Sequence, residues 1–157
     1  MNLFDYRRRE TGEVQIGGKP LGGNHPIRVQ SMTNTSTMDT EACVAQTLRI
    51  AEAGGDYVRL TTQGVREAEN LRNINAGVRA AGCAVPLVAD VHFNPKVADV
   101  AALYAEKVRI NPGNYVEAAR TFKHLEYTDE EYAQELKKIE ERFVPFLRIC
   151  RENHTAI

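Results

Sequence analysis

Short apolar runs at 27–32, 56–62, 85–93 and 107–110 are each followed by a stretch in which apolar residues recur every third or fourth position. The runs have strand length and the stretches have helical period, so the chain reads as strand, helix, strand, helix. The first helical stretch covers 39–53, with Val44, Leu48 and Ala51 at helical spacing and Gly54 as its stop. The second covers 65–81, where Ala68, Leu71, Ile74, Val78 and Ala81 form one stripe that ends at Gly82. The third, 97–104, follows Asn94-Pro95, a capping residue plus a proline suited to the first helical position. A longer helix opens at a capping box of Thr128 and Glu131 and carries Tyr132, Leu136, Ile139, Phe143, Leu147 and Cys150 along one face. Pro145 is expected to kink its later part. His154-Thr155-Ala156-Ile157 reads as the opening of one more strand.

Alternation of this kind predicts an α/β fold: a parallel sheet with its helices outside. The best fit is the first half of a TIM (β/α)8 barrel, about four βα units. A closed barrel takes ~250 residues, and 157 are present, so the second half is expected to be missing. Ahead of the first unit, Val14-Gln15-Ile16, Gly17-Gly18 and Lys19-Pro20-Leu21 read as a small hairpin turning on its glycines, which plugs or flanks the barrel floor. The expected division is residues 1–26 for tail and hairpin, and 27–157 for the half barrel.

Each strand-like run also carries polar residues that a buried strand tolerates poorly: Gln30, Arg59, Asp90 with His92, and Arg109 with Asn111. Barrels place their chemistry at the carboxyl ends of strands, where loops are polar and the wall below stays packed. Because alternate strand residues share a face, Asp90 goes with His92, Arg59 with Thr61, and Arg109 with Asn111, each pair directed to the axis. Two arginines in such a place point to an anion, since phosphate gives a guanidinium a charge-assisted and often bidentate contact. The alternative is a structural network in which Arg59 or Arg109 pairs with Asp90, and His92 beside a carboxylate is equally a satisfied core histidine. Gln30 and Asn111 suit substrate hydroxyls or carbonyls, but amides also stitch barrel rims together.

Composition removes several function classes. The net charge of −1 gives no bulk attraction to nucleic acid or acidic membrane, and the arginine triplet at 7–9 reads as a solvated tail. No apolar run reaches membrane-spanning length and no secretory leader follows the N-terminal basic residues, so the expected location is cytoplasmic. Cys43, Cys83 and Cys150 form no C-x-x-C pair, and Cys150 with His154 lacks further partners, so no metal site is expected in this chain. The glycines at 17–23 match neither a P-loop nor a dinucleotide fingerprint, and no serine nucleophile elbow occurs.

Three ordered segments carry a family resemblance: Val29-Gln30-Ser31-Met32-Thr33-Asn34-Thr35, Val85-Pro86-Leu87-Val88-Ala89-Asp90-Val91-His92-Phe93, and Val108-Arg109-Ile110-Asn111-Pro112-Gly113-Asn114. Together they resemble the N-terminal half of the 4-hydroxy-3-methylbut-2-enyl diphosphate synthases. Tyr127-Thr128-Asp129-Glu130-Glu131-Tyr132 is similar to the longer form of that family, which has an extra inserted domain.

The resemblance implies an oxidoreductase of non-mevalonate isoprenoid (terpenoid) biosynthesis that opens and dehydrates 2-C-methyl-D-erythritol 2,4-cyclodiphosphate with two electrons. It places Arg59 and Arg109 on the diphosphate, with Asp90, His92, Asn111 and Gln30 in the same pocket, Asp90 and His92 as the catalytic pair. It also implies a 4Fe-4S cluster whose ligands, with the inserted domain and iron-sulfur domain, lie outside this chain, and an electron donor such as flavodoxin or ferredoxin. A homodimer is implied for the enzyme, and inactivity for these 157 residues alone. Two other readings stay open: a non-redox phosphate-binding barrel such as a pteroate-synthase-like transferase, and a stand-alone anion-binding domain.

Overall fold

A computed structural model describes residues 9–92, 94–116 and 127–157. Arg7, Arg8 and Phe93, which closes the third apolar run, lie outside the described residues. A two-stranded hairpin, β1 (Glu13–Ile16) and β2 (Lys19–Gly22), precedes a four-stranded parallel sheet in the order β3 (Gln30–Met32), β4 (Tyr57–Thr62), β5 (Leu87–Val91), β6 (Lys107–Arg109). Between and after the strands come α1 (Thr40–Glu52), α2 (Val65–Ala80), α3 (Pro95–Ala101), a 3-10 turn (Pro112–Asn114) and α4 (Asp129–Glu152). Ala156 makes a parallel bridge to Lys107, so the last residues do begin to pair as a fifth strand.

Among the described residues, side-chain caps start three of the four α-helices, the exception being α2 at Gly64, and α3 runs Pro95–Ala101 where the sequence pattern predicts 97–104. Asp39 and Asn94 accept hydrogen bonds from Ala42 N and Lys96 N at the starts of α1 and α3, and Pro95 occupies the first turn of α3. Thr128 and Glu131 form the reciprocal capping box of α4, at 3.3 and 2.9 Å. Pro145 sits inside α4 without ending it. Gly54 and Gly82, both at positive φ, follow α1 and α2.

The sheet has two faces of opposite character. On the helix side Val58, Leu60, Leu87, Ala89, Val91 and Val108 are buried against Ala68, Leu71, Ile74 and Val78 of α2, Val97 and Ala101 of α3, and Phe146 of α4. On the other side the hairpin closes the amino ends of the strands. Ile16 is buried with Tyr57, Val88 and Ala156, Tyr57 donates its hydroxyl to Lys19 O at 2.8 Å, and Lys19 pairs with Asp56 at 2.9 Å. Asp56 also accepts from Val29 N, and that bond, followed by Lys19, holds its carboxyl below the ordinary pKa. The expected plug at the barrel floor is therefore present.

Three details depart from the sequence pattern. The first barrel strand is three residues long, and Ile27 and Val29 ahead of it are 86% and 57% exposed. In α1 the buried residues are Cys43 and Thr47, one position before Val44 and Leu48, because Val44 turns towards α2, where Gly77 leaves it room. In α4 Phe146, not Leu147, joins Cys150 in the core.

Candidate anion-binding site

Strand register decides which polar residues meet. Thr61, Asp90 and Arg109 are opposite one another in one row across β4, β5 and β6, and Met32, Arg59, Val88 and Lys107 form the row beneath. Along β4, Val58, Leu60 and Thr62 are buried under the helices, while Arg59 and Thr61 are only half-buried. Arg59, Thr61, Asp90 and Arg109 thus share the face that a barrel turns inward, as strand parity predicts.

Asp90 is the centre of the cluster. Its Oδ1 receives Arg59 Nη2 at 2.7 Å and Arg109 Nη1 at 3.3 Å, and its Oδ2 lies 3.2 Å from His92 Nε2. Arg109 Nη1 is also 3.2 and 3.4 Å from the two His92 ring nitrogens. Burial raises the Asp90 pKa, but the hydrogen bonds from Arg59 and His92 and the charges behind them outweigh burial and hold it below the ordinary carboxylate value. The alternative of an ion-pair network is therefore part of the structure, and it contains both arginines at once.

That network does not neutralise the site. Two guanidiniums face one carboxylate, leaving one net positive charge before His92 is counted. Arg59 Nε is buried with no hydrogen-bond partner, an orphan donor on a side chain that is otherwise committed. An anion arriving at this face would find a residual positive charge and unused N–H groups held in place by Asp90.

The other two candidates stand apart. Gln30 opens β3 instead of closing it and is opposite Tyr57, two rows below Thr61 and Asp90, or ~13 Å along the strands at 3.3 Å per residue. Asn111 follows Arg109 at the rim, where its Oδ1 accepts from Gly113 N at 3.2 Å and caps the 3-10 turn. A cavity of about 480 Å³ lies at the other end of the molecule, bordered by Gly17, Arg72, Asn75, Glu106 and His154. None of the clustered residues borders it, since their own face is an open wall.

Comparison with known proteins agrees with this geometry. The GcpE TIM-barrel domain matches residues 11–157. The chain belongs to that family. Over all 157 residues it is 79% identical to the 4-hydroxy-3-methylbut-2-en-1-yl diphosphate synthase (flavodoxin) of Bacteroides thetaiotaomicron and 76% identical to that of Bacteroides fragilis. Over 154 residues it is 49% identical to the protein of the same name from Akkermansia muciniphila. The chain spans about a quarter of the length of these relatives: 26%, 25% and 26%.

Within this GcpE domain the residues present do not fit an iron-sulfur cluster. Cys43 is buried between Thr35 and the Ser36 carbonyl, Cys150 lies in the core beside α3, and Cys83 follows α2. Burial raises the thiols of Cys43 and Cys150, the latter to about 11, which opposes the thiolate form a metal needs. Among the described residues no three His, Cys, Asp or Glu side chains group as metal ligands. None of the described helices is long and apolar enough to cross a membrane.

Sequence reasoning missed one polar cluster. Glu106, just before β6, accepts from Arg79 Nη2 at 2.7 Å, Leu87 N at 2.7 Å and Asn75 Nδ2 at 3.2 Å, while Arg79 also donates to the carbonyls of Cys83 and Val85. It satisfies the backbone at the barrel floor. No short motif announces it, because its members come from three separate segments.

Proposed function

We propose that this chain is the diphosphate-binding portion of a 4-hydroxy-3-methylbut-2-en-1-yl diphosphate synthase that acts on 2-C-methyl-D-erythritol 2,4-cyclodiphosphate. The observation that supports it most is the placing of Arg59 and Arg109 on one carboxylate, within reach of each other, on the inward face of the sheet. A cyclic diphosphate supplies the charge this face lacks. Ring opening leaves negative charge on a phosphate oxygen, and cations fixed beforehand stabilise it without reorganising.

In this reading Arg59 and Arg109 bind the diphosphate, and Asp90 is a positioning residue that holds both guanidiniums and the His92 ring. His92 lies at the mouth, next to the arginines, where it holds a substrate hydroxyl or delivers a proton. Asn111 shapes the rim and Gln30 serves the lower wall. Flavodoxin, which the relatives' names carry, is proposed as the source of the two electrons, and the cytoplasm as the location. The 4Fe-4S cluster that the resemblance implies would need ligands from beyond these residues, so these 157 residues alone are expected to bind substrate without reducing it. A homodimer is part of the same proposal.

Calorimetric titration of the cyclodiphosphate into the chain and its Arg109→Ala and Arg59→Ala variants tests this. Losing a charged hydrogen bond of ~1.5–3 kcal/mol weakens binding by roughly 10- to 100-fold. Equal affinities in all three proteins would remove the arginines from the site.

A further inference from the structure

The seam of α4 is only half used. Tyr132, Leu136, Ile139, Phe143, Phe146 and Cys150 follow one another in alternating steps of four and three, the spacing of a coiled-coil seam. The lower half is packed: Phe146 and Cys150 are buried, and the rings of Phe143 and Phe146 lie 5.8 and 5.9 Å from that of Tyr115. Arg142, paired with Asp99 of α3, marks where contact with the barrel begins. Above it every residue of 129–141 except Glu135 is exposed, and Tyr132, Leu136 and Ile139 are 57%, 48% and 39% accessible. Thirteen helical residues span ~20 Å at 1.5 Å each, so several turns of an apolar stripe extend past the packed part, among the described residues uncovered.

The charge beside the stripe selects its occupant. Six carboxylates (Asp129, Glu130, Glu131, Glu135, Glu140, Glu141) accompany two lysines, Lys137 and Lys138. Glu135 and Glu140 occupy the positions that flank a seam, and the lysines are on the outer face. Lys138 does pair with Glu135 along the helix, but the contact is exposed and screened by water and salt. In a parallel second copy of α4, Glu135 would meet Glu140; in an antiparallel one centred between Leu136 and Ile139, Glu135 would meet Arg142, which Asp99 already holds, and Glu140 would meet Ala133. Among the described residues the other helices cannot serve, because α1, α2 and α3 already turn their apolar residues to the core.

We propose that the upper stripe of α4 docks an amphipathic helix from a partner outside this chain, apolar along its seam and carrying lysine or arginine at the flanking positions. The partner helix continues upward the seam that Tyr115 and the barrel fill below. It would stand at the carboxyl end of the sheet, the same end as His92 and Arg109, because α4 descends from that rim to the Ala156 bridge at the floor.

Two labelled 21-residue helical peptides with leucine at the seam positions test this by fluorescence anisotropy, one with lysine at every flanking position and one with glutamate. The chain is expected to bind the lysine peptide at least tenfold more tightly than the glutamate peptide, and Leu136→Glu with Ile139→Glu to abolish that binding. Glu135→Lys with Glu140→Lys should reverse the preference while helix content by circular dichroism stays unchanged, which separates docking from folding. Absence of binding to the lysine peptide, or binding untouched by both double variants, overturns the proposal. So does self-association that Leu136→Glu with Ile139→Glu removes, since the stripe would then belong to a second copy.

Discussion

Asp90 accepts from Arg59 and Arg109 and contacts His92, and its side chain is only 4% exposed. Its carboxyl is held below the ordinary pKa by groups that do not surround it in the unfolded chain, so its contribution to stability is present above the unfolded value of ~3.9 and is lost as pH falls through the depressed folded value. Denaturant melts at pH 7 and at successively lower pH should therefore show Asp90→Asn less stable than the parent at neutrality, with the gap closing below about pH 4. A constant gap across that range would mean that the carboxylate's charge is not what holds the arginines. Strand parity already puts Arg59, Asp90, His92 and Arg109 on one side. What it does not convey is that both arginines converge on one oxygen, because that depends on the stagger between three strands. The same stagger separates Gln30 from the others, and in the sequence its place just after three chain-like residues of the apolar run hides that it begins the strand.

At the level of elements, α1 and α2 approach each other through Gly77. A Cβ there would lie 2.7 Å from Val44 Cγ2, a branched side chain with little freedom to move aside. Gly77→Ala gains up to ~1 kcal/mol of helix propensity and incurs an overpacking penalty of ~1–3 kcal/mol. The expected result is a lower melting temperature, with Val44→Ala restoring part of it in the double variant. A rise in melting temperature for Gly77→Ala alone would show that the helices separate freely. The caps at Asn94 and at the Thr128–Glu131 pair were the most legible features of the helices, since they act within four residues of themselves, whereas the cap at Asp39 was not read from the sequence. The buried face of α1 was less so: Val44 and Cys43 are both apolar, and only the neighbour at Gly77 decides which of them meets the sheet. Removing the α4 cap with Thr128→Ala should cost ~1 kcal/mol of helix stability, read as fraying of its first turns by hydrogen exchange.

For the molecule as a whole, the order of strands was readable from the alternation of periods, whereas the exposure of its boundary strand was not. Among the described residues β3 pairs with β4 alone, and beside it Ile27 and Val29 are largely exposed. On the far side, among the described residues, β6 is bonded outward only at the Ala156 bridge. Open edges with apolar neighbours pair with other edges. The chain is expected to self-associate with rising concentration in sedimentation velocity runs, and Ile27→Lys with Val29→Lys to shift the distribution towards the single chain. A compact single species at all concentrations would show that the edges are closed by other means.

The hairpin gives the particle a fixed heading. Ile16 and Gly17 lie against the starts of the strands, next to Tyr57, Pro86 and Glu106, while His92 and Arg109 are at the strands' other ends. Tethering the protein through the exposed hairpin turn at Gly18 would therefore anchor it by the base, with the two arginines directed away from the support. Surface-based binding measurements can then reach that face without obstruction, whereas attachment through the upper turns of α4 would crowd it.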